Sequence, residues 1–196
     1  MSDALDNLIT QFHRLPGIGK KTAQRLAVHI LKERHNLAED LAQSLLRVKK
    51  EIHFCRKCFN ITDSDLCSIC SNPRRDTTTI CVIEDITDIM AIERTNEYKG
   101  LYHVLGGVIS PLAGVSPNHL TISALKERIK TESVKEIILA LNPSTEGETT
   151  MIYLSGLLKS AGCRITRIAS GIPLGAHLEF IDDATIGRAL SHRNEL

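Results

Sequence analysis

Four cysteines in the pattern Cys55-x2-Cys58-x8-Cys67-x2-Cys70 constrain this chain more than any other feature. The stretch that holds them, residues 53-76, is otherwise rich in Asn, Asp, Ser and Pro, a loop composition with little apolar material to build a core. Paired thiolates two residues apart ligate one ion from a tight knuckle, and two knuckles complete a closed tetrahedral site. Closed coordination leaves no open position, so the expected ion is one structural Zn²⁺ per chain. Iron or labile disulfides are the alternatives that thiolate softness allows. The eight-residue spacer implies a compact pair of knuckles. Cys81, in an apolar run, and Cys163 read as small buried residues.

Six cysteines do not make this a secreted disulfide scaffold. The start, Met-Ser-Asp-Ala-Leu-Asp, is acidic and lacks an apolar signal core, and 196 residues suffice to bury a real core. No run approaches the 18 apolar residues of a membrane span. A cytoplasmic protein is expected.

Three stretches differ in character. Residues 1-52 read as helical: Ala23, Leu26, Ala27, Ile30 and Leu31 recur at spacings of three and four over 20-34. Leu37, Leu41, Leu45, Val48 and Ile52 repeat the pattern over 37-52. The cysteine segment follows. From Thr77, short β-rich runs (79-84, 102-105, 136-141, 164-169) alternate with helical ones (86-95, 121-131, 149-160), which predicts an α/β layer on a mainly parallel sheet over 77-170. Residues 171-196 begin with the turn Gly171-Ile-Pro-Leu-Gly175 and predict a short helix from Asp182.

Charge divides along the same seams. The formal total is only +1, which excludes indiscriminate coating of DNA by bulk positive charge. Yet residues 1-75 carry 13 Lys+Arg against 8 Asp+Glu, and residues 76-196 carry 11 against 15. The first part is basic and the second acidic.

The basic part contains Leu15-Pro-Gly17-Ile-Gly19-Lys20-Lys21-Thr-Ala23 between two helical segments, with no acid from Asn7 through Lys32. Pro16 and the glycines allow a tight turn whose amides, with the next helix N-terminus, face outward as phosphate donors. Lys21 and Arg25, four apart, share a helix face off the apolar stripe. Arg14, Gly17, Gly19, Lys20, Lys21 and Arg25 are thus the candidate DNA-backbone contacts, without base specificity. A P-loop is excluded, because Arg14 stands where its first glycine belongs and Lys21 where its Ser or Thr belongs. A plain helix-to-helix turn with solvated lysines is the other reading.

The acidic part places carboxylates after strands. The run Ile80 to Ile83 leads into Glu84-Asp85 and then Asp88, and Ile137 to Leu141 leads into Asn142-Pro-Ser-Thr-Glu146-Gly-Glu148. Strand carboxyl ends face the ligand crevice of an open α/β sheet, so Glu84, Asp88, Glu146 and Glu148 are candidates for partner binding or for a shared Mg²⁺. Any one of them is equally an ordinary solvated surface acid.

In this order, the hairpin, the cysteine quartet, Cys81-Val-Ile-Glu-Asp85, Tyr102-His-Val-Leu105 with Ile109-Ser-Pro-Leu112, Asn142-Pro with Glu146-Gly-Glu148, and Gly171-Ile-Pro-Leu-Gly175 closely resemble the RecR family of bacterial recombination mediators, over essentially the whole chain. The resemblance implies a multi-part α+β fold. Its parts are a helix-hairpin-helix region (1-52), a four-cysteine zinc knuckle (53-76), a Rossmann-like α/β domain of the Toprim type (77-170) and a C-terminal strand-exchanging segment with a Walker-B-like acidic end (171-196).

It further implies a homotetrameric ring around DNA, partnership with RecO and RecF, and help in loading RecA onto single strands, in a bacterial cytoplasm near the nucleoid. By the same resemblance Lys21 and Arg25 match the family's DNA contacts, and Glu84, Asp88 and Glu146 fall in the acidic region implicated in RecO association. Asn96 stands where the family often has Gly, a substitution the left-handed conformation tolerates. The expected protein is not an enzyme. The rival is a Mg²⁺-dependent Toprim nuclease or topoisomerase-like enzyme using Glu84, Glu146 and Glu148. It lacks an Asp-x-Asp metal pair, and its tyrosines, Tyr98, Tyr102 and Tyr153, all lie within the α/β part.

Overall fold

The computed structural model describes residues 2-33, 35-191 and 193, and the chain divides into two compact units after His53. In the first unit, helices α1 (Asp3–His13) and α2 (Lys20–Lys32) form a hairpin. Ala23 and Ala27, both fully buried, let α2 lie close against Ile9, with Leu5, Leu8, Phe12 and Ile18 around them. The turn between the helices needs Gly17 at φ +76°, and the Ile18 amide donates to the Leu15 carbonyl (3.1 Å). The apolar stripe expected on α2 is therefore narrower than its sequence pattern, since Leu31 is 70% exposed. Helix α3 (Leu37–Glu51) buries no side chain at all: Leu45 and Val48 of its apolar stripe are exposed.

The second unit starts with the cysteine segment, where β1 (His53–Phe54) pairs with β2 (Ile61–Thr62). Four parallel strands follow: β3 (Asp76–Ile83), β4 (Gly100–Val104), β5 (Glu136–Leu139) and β6 (Arg164–Arg167), in the order β4-β3-β5-β6. Central β3 is buried on both faces, with side chains alternating between two cores. Ile80 and Val82 join Leu125, Ile129 and Leu154 from helices α5 (Ile122–Thr131) and α6 (Thr145–Leu158). Cys81 and Ile83 face Ile89 of α4 (Ile86–Glu93), and this second core is completed by Phe59 and Ile69 of the cysteine segment. As expected, Cys81 is buried; Cys163 is half-buried against the first core.

Several boundaries differ from the sequence pattern: β4 starts at Gly100 rather than 102, β5 ends at Leu139 rather than 141, β6 at Arg167 rather than 169 and α4 at Glu93 rather than 95. Helix α6 starts four residues before the expected 149, because the Ser144 hydroxyl accepts the Gly147 amide (3.0 Å) as an N-cap. Glu146 and Glu148 consequently lie in the first helical turn rather than in a loop. A side chain at Gly147 would collide with the Asn142 carbonyl, its Cβ falling 2.1 Å from the oxygen. Strand β3 begins at Asp76, three residues before the expected 79. Asn96 has φ +59°, so the turn after α4 keeps its left-handed residue without glycine. The C-terminal segment holds a short 3-10 turn at Leu178–Phe180 and helix α7 (Asp183–Ser191), neither with a buried residue. Of the expected 171-196 segment, positions 192 and 194-196 lie outside the described residues.

The cysteine segment is tied to the sheet by named bonds. The Val104 amide donates to the Cys58 carbonyl (2.9 Å). Arg128, whose side chain is 5% exposed, donates from Nη1 to the carbonyls of Tyr102 (2.7 Å) and Lys57 (3.4 Å) and pairs with Glu132, which also holds Lys57 Nζ at 3.3 Å. His103 is buried beside them, edge-on to the Phe59 ring, with Nε2 3.1 Å from the Thr121 carbonyl. Burial, reinforced by the Arg128 charge, pushes its pKa down to about 4, so the imidazole is neutral. Truncating Arg128 takes the guanidinium away from the buried Tyr102 and Lys57 carbonyls and leaves Glu132 with Lys57 alone, so Arg128→Ala should cost about 3 kcal/mol in urea unfolding. By contrast, Arg47→Ala, which removes an exposed ion pair to Glu51, should leave the urea midpoint unchanged in the same measurement.

Candidate zinc centre, nucleic-acid interface and acidic crevice

The sulfur atoms of Cys55, Cys58, Cys67 and Cys70 all lie within 4.8 Å of one another, the first three buried and the fourth half-buried. A tetrahedron of Zn–S bonds has sulfur–sulfur edges of about 3.8 Å, so the quartet fits a four-thiolate ion with small adjustments. Cys58 and Cys67 share a hydrogen bond (3.5 Å) that holds the Cys67 thiol well below the usual range and Cys58 well above it. The Cys67 amide donates to Cys55 Sγ (3.3 Å). Zinc in this cage supplies the cross-link that a loop without its own core requires. Nothing in the cage leaves a coordination position for substrate.

The hairpin residues gather on one exposed rim. Arg14, Gly17, Gly19, Lys20, Lys21 and Arg25 are all solvent-facing. Gly19 caps α2 with extended backbone and no side-chain acceptor, so the first-turn amides of Lys20, Lys21 and Thr22 point outward unpaired by any side chain. No acid stands in the first turn of α2, and Lys20, Lys21 and Arg25 have no ion-pair partner among the described residues. Arg14 is held to Gln11 Oε1 (3.0 Å). A helix N-terminus whose amides lack a side-chain cap, with two lysines beside it, has the donors and charge that complement an anion such as phosphate.

The acids do not converge on a metal. Glu84, just past β3, is clasped from across the sheet: Oε1 accepts the Asn142 backbone amide (2.7 Å) and Oε2 the Asn142 side-chain amide (2.8 Å). Glu148 faces the other way, between Arg167 and Arg188, each at 3.4 Å. Asp85 and Asp88 form a capping box on α4, the Asp85 carboxylate accepting the Thr87 amide and Asp88 the Asp85 amide. Glu146 is half-exposed at the start of α6. Among the described residues, the thiol quartet is the only group of three or more metal-capable side chains drawn together. The Mg²⁺ arrangement of Glu84 with Glu146 and Glu148 is therefore not assembled, because Asn142 and the two arginines already occupy two of the three carboxylates.

The strand order places β3 and β5 side by side at the point where the chain reverses its direction of winding, the usual ligand crevice of such a sheet. Here the Glu84–Asn142 clasp links the ends of the two strands. In sequence Asn142 stood out only as the residue that follows a strand, with nothing to pair it with Glu84, and the two arginines did not stand out.

Known relatives match this series of parts. The family model described as RecR, helix-hairpin-helix matches residues 5–49, the RecR four-cysteine zinc finger domain 52–72, the Toprim domain 78–169 and RecR, C-terminal 171–194. A protein named Recombination protein RecR from Myxococcus xanthus is 52% identical over 99% of this chain and 98% of its own length. This chain belongs to the RecR family. RecR proteins from Chloroherpeton thalassium (52% identical, 100% of this chain and 98% of the relative) and Bifidobacterium longum subsp. infantis (50%, 98% and 96%) are similar over equal spans. The fold is thus that of the RecR family: a helix-hairpin-helix, a four-cysteine knuckle holding structural zinc, a Toprim domain and a C-terminal segment, in that order.

Elemental analysis of the purified protein should find one zinc per chain. Cys67→Ala, which opens the cage at a buried ligand, should lose most of it and melt at a lower temperature by circular dichroism.

Proposed function

We propose that this RecR-family chain is a non-enzymatic DNA-binding mediator of recombinational repair that assists RecO and RecF in loading RecA onto single-stranded DNA. The observation that carries this reading is the exposed hairpin rim, where Lys20, Lys21 and Arg25 stand unpaired beside the free amides of α2. Such a rim grips phosphates and is indifferent to base sequence. Lys21 and Arg25 are the principal contacts, with Arg14, Lys20 and the amides at Gly17 and Gly19 supporting them.

A homotetrameric ring would repeat this weak grip around one nucleic acid, and repetition converts it into useful affinity. The uncovered apolar face of α3, with Leu45 62%, Leu46 72% and Val48 56% exposed, supports assembly, as do Leu174 and Phe180 in the C-terminal segment. Glu84, Asp88, Glu146 and Glu148 make the α/β domain the docking side for basic protein partners, RecO first among them. The site of action is the bacterial cytoplasm, at the nucleoid; no helix among the described residues is long and apolar enough to cross a membrane.

The clasp on Glu84 counts against metal-dependent strand cutting. So do the tyrosines: Tyr98 and Tyr102 have their hydroxyls bonded to Leu101 O and Glu93, and burial pushes both pKa values well above the usual range, away from nucleophilic use. Incubation with supercoiled plasmid and Mg²⁺ should leave the plasmid intact; nicking that disappears in Glu84→Ala would establish an enzyme.

DNA binding should fall steeply with salt. Replacing both Lys21→Glu and Arg25→Glu should weaken binding of a labelled oligonucleotide at least tenfold in fluorescence anisotropy and lower the slope of log K against log salt by about 2. Unchanged binding would remove the hairpin from the interface.

A further inference from the structure

A socket of about 390 Å³ opens between the zinc knuckle and the carboxyl end of β4. Its floor is apolar. Val104 and Leu105 are buried there, and Phe59, fixed at φ +64°, turns its ring edge-on to His103 with 5.4 Å between centroids. Phe54, left 67% exposed, and half-buried Ile86 in the first turn of α4 also line it. Asp85 stands on the lip, with Asp88 one helical turn away. Because both acids are engaged in the capping box, their charges are held in place before anything binds. Gly106, His119 and Thr121 complete the lining, and no described lysine or arginine is part of it.

This combination selects its occupant. An apolar floor with an exposed aromatic wall gains by covering a large side chain, since burying one is worth at least a factor of ten in affinity. The carboxylate lip repels phosphate and anionic lipid and attracts cations. We propose that the socket receives an apolar anchor residue, aromatic or branched aliphatic, flanked by Lys or Arg in a segment of a protein partner. The inference rests on the reading that the acidic domain docks basic partners and states what that docking grips. Both aromatic rings of the socket come from the knuckle, so the zinc cage that positions Phe54 and Phe59 also shapes a partner site.

The test uses the zinc-loaded full chain and two fluorescein-labelled peptides, Lys-Arg-Phe-Leu-Arg-Lys and its copy with Ala for Phe and Leu, followed by anisotropy at low salt. The first should bind at least tenfold more tightly than the second. Phe54→Ala should abolish that difference while leaving the alanine peptide unaffected. Ile86→Ala, on α4 and outside the cysteine segment, should do the same, which separates the socket from any effect of Phe54 on the adjacent Cys55. Asp85→Asn with Asp88→Asn retains the cap acceptors, removes the charge and should weaken both peptides alike. Equal binding of the two peptides, or a difference that survives Phe54→Ala and Ile86→Ala, overturns the socket while leaving the acidic docking surface standing. Insensitivity of both peptides to the asparagine pair overturns the docking reading itself.

Discussion

The hydrogen bond from the Val104 amide to the Cys58 carbonyl joins two parts that neither metal nor sheet would hold together alone. Strand β4 lies at one edge of the sheet, yet all five of its residues are buried. Edge strands with unpaired amides invite pairing with other chains unless something covers them. The knuckle is a cover here, and Arg128 ties it down by bonding the carbonyls of Lys57 and Tyr102 from one guanidinium. Phe59 and Ile69 then extend the second core, so a segment too polar to fold alone becomes part of the α/β domain. Zinc acts at a distance through this arrangement: it closes the knuckle, and the knuckle closes the sheet.

The acids of the Toprim domain serve the fold. Glu84 engages Asn142 with both oxygens across the switch point, Asp85 and Asp88 cap α4, and Glu148 holds arginines from β6 and α7. At the switch point, where such sheets ordinarily admit a ligand, both oxygens of Glu84 are thus already engaged. The hairpin presents the opposite sign with its lysines unpaired. The formal charge of +1 is thus the sum of a basic first part and an acidic second part of the chain.

Much of this was legible before any coordinates. The quartet spacing identified the metal cage, and the alternation after Thr77 identified the parallel sheet, because ligand geometry and apolar period are local properties. Pairings across long separations were not legible. Glu84 and Asn142 are 58 residues apart and Arg128 and Lys57 are 71 apart, and nothing in either neighbourhood signals its partner. Helix α3 failed differently. Its apolar stripe is present in the sequence, but no described residue of the helix is buried, so periodicity located the face without saying what covers it. Helix α6 began early because one serine caps it, a detail that alternation patterns do not carry.

Amide hydrogen exchange at Val104, before and after zinc is removed with a chelator, tests the central coupling most directly. The zinc-loaded protein should protect Val104 strongly. After chelation that amide should exchange much faster while Ala140, which donates to Val82 inside the sheet, stays protected. Undiminished protection of Val104 without metal would contradict the account, because the knuckle would then hold the sheet edge without the ion.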